Sequence, residues 1–360
     1  MDINTSILAL VREDLAGFTG YSSARSAHIV ASIWLNANEA YSANDADPTA
    51  TVRRYPAPQP DVLRQLLADM YNCQPDQLLL GRGSDEAIDL LVRALCRSGR
   101  DAVLITSPVF GMYAVCARLQ CATLIDVPLL ENQRTFEIDT QTIITKALHN
   151  SVKLLFLCSP SNPTGNSIPL RTIQLIAHQL EGKAIVVVDE AYAEFSNQPS
   201  AISLLANHPN IGVLRTLSKA HALAGARLGC LIAHPALIGV LRACQAPYPI
   251  PAPSAYLVEK ALSTQALDKT RQHISTIIDE RNRMQQDLAQ CACVDTVYPS
   301  DGNFLLVRFN RPQDAYDALL AAHIAVRDQR KEPQLANALR ITIGSSAENT
   351  AVLNALHTLD

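Results

Sequence analysis

The sequence predicts an α/β fold with a large domain, whose mostly parallel sheet is sandwiched by helices, and a smaller α+β domain. Three observations carry this expectation. Short β-branched apolar runs alternate with segments of helical period between residues 78 and 232, the pattern that builds a parallel sheet covered on both faces. The stretch Pro247-Tyr248-Pro249-Ile250-Pro251-Ala252-Pro253 is dense in proline, which resists helix and stiffens a joint between domains. Beyond it come a long charged helical segment and isolated strands rather than a strict alternation.

In chain order, residues 1–50 show no sustained period and are expected to form an N-terminal arm and part of the small domain. Residues 51–250 form the large cofactor-binding domain, and 251–360 the small C-terminal one. Pro56, Pro58 and Pro60 stiffen a turn-like entry, after which Asp61 caps a helix carrying Leu63, Leu66, Leu67 and Met70 at helical spacing. Strands are expected at 78–80, 102–106, 123–127, 153–158, 185–188, 212–216 and 227–232, with helices at 85–97, 139–149 and 169–181. The small domain is expected to hold helices at 266–288, 312–323 and 348–359 and strands at 303–309 and 339–343.

The chain has 360 residues, 48% hydrophobic and 18% charged, with a formal net charge of −4. That describes a globular protein with a large core, and it argues against binding nucleic acid by general phosphate attraction. Nine cysteines lack any C-x-x-C pair, as a reducing compartment tolerates, so neither disulfides nor a metal site is expected. The opening MDINTSILALVREDL has no cleavage-site pattern, and a cytoplasmic location is expected.

Two stretches carry chemistry. In 214–229, Lys219 follows an apolar strand, with Ser218 beside it and Arg227 further on. A lysine amine condenses with an aldehyde, and pyridoxal 5'-phosphate is the cofactor that supplies one; a solvated Ser-Lys turn is the plainer alternative. In 185–192, a β-branched run ends at Asp189, with Tyr192 next. Open α/β sheets hold ligands beyond their strands' carboxyl ends, where a carboxylate would keep a pyridine nitrogen protonated; capping the next turn is the alternative. The strand-turn-helix at 78–85 offers free amides to an anion. Phe110 is placed to stack on a planar ring. Arg327 and Arg340 occupy strand positions and suit bidentate recognition of carboxylate or phosphate, although exposed arginines are common.

The blocks SPSNPTG at 159–165, VVVDEAY at 186–192 and RTLSKAHALAGARLG at 215–229 resemble the fold type I pyridoxal-phosphate aminotransferases. WLNANE at 34–39, RRYPAPQP at 53–60, GRGSDEAIDLLVRA at 81–94, FGMY at 110–113, VRDQ at 326–329 and LRITIG at 339–344 are similar to the histidinol-phosphate branch of that family. The resemblance implies a Schiff base on Lys219, with Asp189 opposite the ring nitrogen and Phe110 on the ring face. Tyr192 and Asn162 would hold the phenolic oxygen. Ser84, Asp85, Ser218, Arg227 and the Tyr55 of a second subunit would hold the cofactor phosphate. Tyr21, Asn162, Arg327 and Arg340 would meet the substrate, so a homodimer with shared sites is implied. The activity implied is amino transfer between L-histidinol phosphate and 2-oxoglutarate (or glutamate in reverse) in histidine biosynthesis. Val109 and Phe110 stand where the family carries threonine and tyrosine, and His221 where an aromatic hydrocarbon is usual. Alternatives are an aromatic or other amino-acid aminotransferase, a decarboxylase of phosphorylated amino acids with the same fold, or a non-catalytic cofactor-binding regulator. Such regulators add a DNA-binding domain, which is not expected here.

Overall fold

The structure, a computed structural model, describes residues 3–22, 24, 31–132 and 134–359. Helix α1 (Ile3–Leu8) comes first, and α2 (Asp61–Tyr71) leads into β1 (Leu78–Gly81) and α3 (Ser84–Leu95). Then come β2 (Ala102–Ile105), α4 (Met112–Leu119), β3 (Thr123–Asp126), a hairpin of β4 (Leu130–Asn132) and β5 (Thr135–Glu137), and α5 (Thr140–His149). The large sheet is completed by β6 (Val152–Cys158), β7 (Ile185–Asp189), β8 (Ile211–Thr216) and β9 (Gly229–Ala233), with α6 (Leu170–Gln179) between β6 and β7.

This sheet has seven strands in the order β1-β9-β8-β7-β6-β2-β3. Pairs β2–β3, β2–β6, β6–β7 and β7–β8 are parallel, whereas β9 runs antiparallel to both β8 and β1. Side chains of a strand alternate between faces, and each face here is buried. Leu78, Leu80, Val186 and Val188 pack under α2, α5 and α6, while Leu79, Ile185 and Val187 pack under α3 and α4. Near-continuous Val, Ile and Leu runs are what a doubly covered sheet requires. Each such side chain contributes about 1.5–3 kcal/mol on full burial.

Helix α7 (Pro235–Cys244) follows β9, then α8 (Ala252–Ala261) and the long α9 (Thr264–Leu288). A second, antiparallel sheet comprises β10 (Val294–Val297), β11 (Phe304–Phe309), β12 (Arg327–Asp328) and β13 (Ala338–Thr342), in the order β10-β11-β13-β12. Helices α10 (Pro312–Ala321) and α11 (Ser346–His357) cover it. Its core of Met284, Leu305, Val307, Leu339, Ile341 and Leu353 is separate from that of the large sheet.

Two expectations shift. The proline-rich stretch at 247–253 ends in a helix, because Pro251 caps α8 and Pro253 sits in its first turn, where a missing N–H costs nothing. Ala255, Val258 and Leu262 then join the large-sheet core. Arg227 does not begin a strand: it lies in the left-handed region with φ 54°, and β9 starts at Gly229. At the other end of the chain, Ile7, Leu10 and Val11 pack beneath the large sheet. The proposed arm at 1–50 includes residues outside those described. No helix among the described residues is long and apolar enough to cross a membrane.

Candidate active site

Parallel strands all present their carboxyl ends on one edge, and here β6, β7 and β8 end beside the start of α3. A cavity of about 660 Å³ opens at that edge. It is lined by Ser84, Asp85, Phe110, Asn162, Asp189, Tyr192, Ser218, Lys219 and Arg227 from the large-sheet side and by Arg327 and Arg340 from the small sheet. Every site residue expected from the sequence is therefore in one place, save Tyr21 and Tyr55. Tyr21 is 72% exposed, and Tyr55 is half exposed and stacks on Tyr248 at 4.5 Å; neither lines the cavity.

The anion turn is shaped by two glycines. Gly83 has φ 78° and caps α3 without any side-chain hydrogen bond, so the first amides of the helix stay available. A methyl group on Gly229 would fall 2.5 Å from the Ser84 amide nitrogen, which ties the start of β9 to that turn. Beside it, Arg227 donates to Asp85 Oδ2 at 3.1 Å, and the Thr216 hydroxyl donates to Ser218 Oγ at 3.0 Å. The cluster thus holds amides, hydroxyls and a guanidinium around one point, a donor set suited to phosphate.

Asp189 ends β7 and is 2% exposed. Its Oδ1 accepts the Ala191 amide at 3.1 Å and its Oδ2 the Tyr113 hydroxyl at 2.6 Å. Burial pushes the carboxyl up to about 6, against the lowering effect of those two hydrogen bonds. Such a group awaits a cationic partner. Lys219 lies with its Nζ 5.7 Å from the centre of the Tyr192 ring. Burial, then the charge of Arg340, holds its amine below the ordinary lysine range, opposed by Asp85. Burial raises the Tyr192 phenol.

Across the cavity, Arg327 and Arg340 are directly opposed partners of β12 and β13. Like charges in that register repel, and Arg340 is lowered by burial and again by Arg327. Its Nη1 donates to Asn162 Oδ1, its Cζ lies 5.3 Å from the Phe304 ring centre, and its buried Nε has no hydrogen-bond partner among the described residues. Among the described residues neither guanidinium forms an ion pair, and such a pair is where an anion binds.

Sequence reasoning missed Tyr113, behind Asp189, and Gln329 and Glu332 on the cavity wall. VRDQ and FGMY contained two of them, but nothing local tells a wall residue from a packed one. His221, unusual for its position, is half-buried beside the lysine loop; burial and then Arg215 push its imidazole down to about 4.

Comparison with known proteins sharpens this geometry. The profile of the family "Aminotransferase class I and II" matches residues 21–356. The chain belongs to that family. A histidinol-phosphate aminotransferase of Xanthomonas euvesicatoria pv. vesicatoria is 59% identical over 352 residues, covering 98% of this chain and 97% of the relative. The crystal structure of the histidinol-phosphate aminotransferase from Clostridium acetobutylicum shares the fold at TM-score 0.78 and 24% identity, covering 87% of this chain and 92% of that one. A Sinorhizobium meliloti enzyme of the same name, solved with pyridoxal-5'-phosphate, superposes at TM-score 0.77 and 23% identity, over 87% and 84% of the two chains. This aminotransferase has residues that fit that cofactor. An amine and a buried carboxylate share one cavity, burial has pushed the carboxylate up, and uncapped amides stand beside an arginine.

Proposed function

We propose that this aminotransferase moves the amino group between L-histidinol phosphate and 2-oxoglutarate in histidine biosynthesis, with pyridoxal 5'-phosphate bound at Lys219. The observation that carries the reading is the 59% identity, nearly end to end, to a histidinol-phosphate aminotransferase. The opposed arginines on the small sheet support it, because an acidic substrate is what they need.

When bound, the cofactor acts as an electron sink for the carbon that carries the amino group. The protein's residues do the rest. Lys219 would hold the cofactor and, as a free amine, would carry the proton to and from the substrate carbon. Burial and Arg340 depress its pKa, as a general base requires. Asp189 holds a proton on the ring nitrogen, Tyr192 and Asn162 hold the phenolic oxygen, and Phe110 covers the ring. Ser84, Asp85, Ser218 and Arg227 fix the cofactor phosphate. Arg327 and Arg340 grip the substrate's anionic end, and Tyr21 reaches it from a second chain.

The active unit is a homodimer in which Tyr55 of each chain completes the other's phosphate site. Ile33, Leu35, Tyr41, Val52 and Tyr55 are all exposed within one stretch of chain, an apolar density that a second copy would cover. The cytoplasm is the proposed location. The test is turnover with 2-oxoglutarate of L-histidinol phosphate against phenylalanine. A site built around a charged group should favour the phosphate by at least about 10²-fold in kcat/KM; equal turnover, or carbon dioxide release from a phosphorylated amino acid, sinks the reading.

A further inference from the structure

Asp189 carries the electronics of this site, yet the donors to its carboxylate among the described residues are only the Ala191 amide and the Tyr113 hydroxyl. Tyr113 is fully buried at the start of α4. It lies flat on Phe156, with ring centres 4.4 Å apart and planes 2° apart, and meets Phe110 edge-on at 5.7 Å and 84°. One side chain therefore braces the ring that lines the cavity and the carboxylate at its floor. A buried phenol needs some partner, but a carboxylate at 2.6 Å is a charge-assisted one. Burial raises the Tyr113 phenol well above its ordinary range, so it stays a neutral donor at any working pH.

We propose that Tyr113 is a positioning residue that holds the Asp189 carboxylate ionised and aimed into the cavity, and so sets the protonation of the cofactor's ring nitrogen. This rests on the cofactor reading above. With Oδ1 on the Ala191 amide and Oδ2 on the phenol, the carboxylate cannot rotate without breaking one bond, and each oxygen keeps a free lone pair for the ring N–H. The other titratable groups coupled to Asp189 are Asp85, Cys158, Glu190, Tyr192 and Lys219. The two acids oppose its ionisation, and the Tyr113 donor is the largest side-chain contribution that favours it.

Tyr113→Phe keeps the stacked ring and deletes one O–H. In the apoenzyme, the Asp189 carboxyl followed by ¹³C NMR should titrate about one unit higher than in the parent. In the loaded protein, the ¹⁵N signal of labelled pyridoxal phosphate should show less proton on the ring nitrogen at neutral pH than in the parent, because the carboxylate that faces it has become the stronger base and draws the shared proton toward itself. Turnover should drop about tenfold in kcat with KM within about twofold. Phe156→Leu loosens the same packing without touching the donor and should leave both the carboxyl midpoint and the ¹⁵N signal in place. An unchanged carboxyl midpoint or ¹⁵N signal in Tyr113→Phe, or equal shifts in Phe156→Leu, overturn the proposal. A parent protein that binds no pyridoxal phosphate overturns the function reading instead, while the apoenzyme titration still decides the role of Tyr113.

Discussion

A carboxylate buried without a cationic partner destabilises the protein that carries it. Asp189, pushed to about 6 from an ordinary 3.8, binds its proton more tightly folded than unfolded. Its contribution to stability is complete below 3.8 and is lost as pH rises through 6, a cost of about 3 kcal/mol at pH 8. Asp189→Asn apoprotein should therefore be more stable than the parent at pH 8 by about 2 kcal/mol, with the gap closing as pH falls toward 4. Thermal melts of the two across that range check it, and a gap that widens toward acid refutes it. The comparison cancels His221, whose imidazole, held down at about 4, works the other way in both proteins. The same substitution should abolish most turnover, so stability and activity part company at this residue.

At the scale of elements, the lysine loop is a connection between neighbouring strands. Thr216 of β8 pairs with Gly229 of β9, so the loop from 217 to 228 is closed at both ends, and Gly229 presses on the Ser84 amide of the anion turn. Gly229→Ala should push that turn outward, and loss of one well-placed donor costs about 1–2 kcal/mol. Equilibrium dialysis should show pyridoxal phosphate held about tenfold less tightly, and unchanged affinity would refute the link. Much of this was legible in the sequence, because strand, turn and helix are local signals: the runs at 78–85, 185–192 and 214–229 gave the strand ends and the polar residues beyond them. Tyr113 was not legible, because the carboxylate it meets is 76 residues away and only the sheet order brings them together. The hairpin of β4 and β5 was missed for another reason. Most of its residues are exposed, and Glu131 is held from outside by Tyr298 and Arg308. Helix α8 was hidden by its own prolines.

For the whole molecule, the proposed exchange of Tyr55 between subunits makes activity a property of a pair. Sedimentation should give twice the 39.1 kDa chain mass. A mixture of Lys219→Ala and Tyr55→Phe chains, reassembled together, should regain about half of the parent activity per mixed dimer, since one site then has both groups. No gain over the separate variants would show that each chain serves itself. The two sheets divide the labour differently. Lys219 and Asp189 stand at strand ends of the seven-stranded sheet, and Arg327 and Arg340 on the four-stranded one. On the roles proposed for these residues, bond-making machinery and the grip on the acid group can be inherited or re-engineered apart: a chimaera that borrows residues 294–342 from a relative of other appetite should change what it accepts and leave its colour untouched.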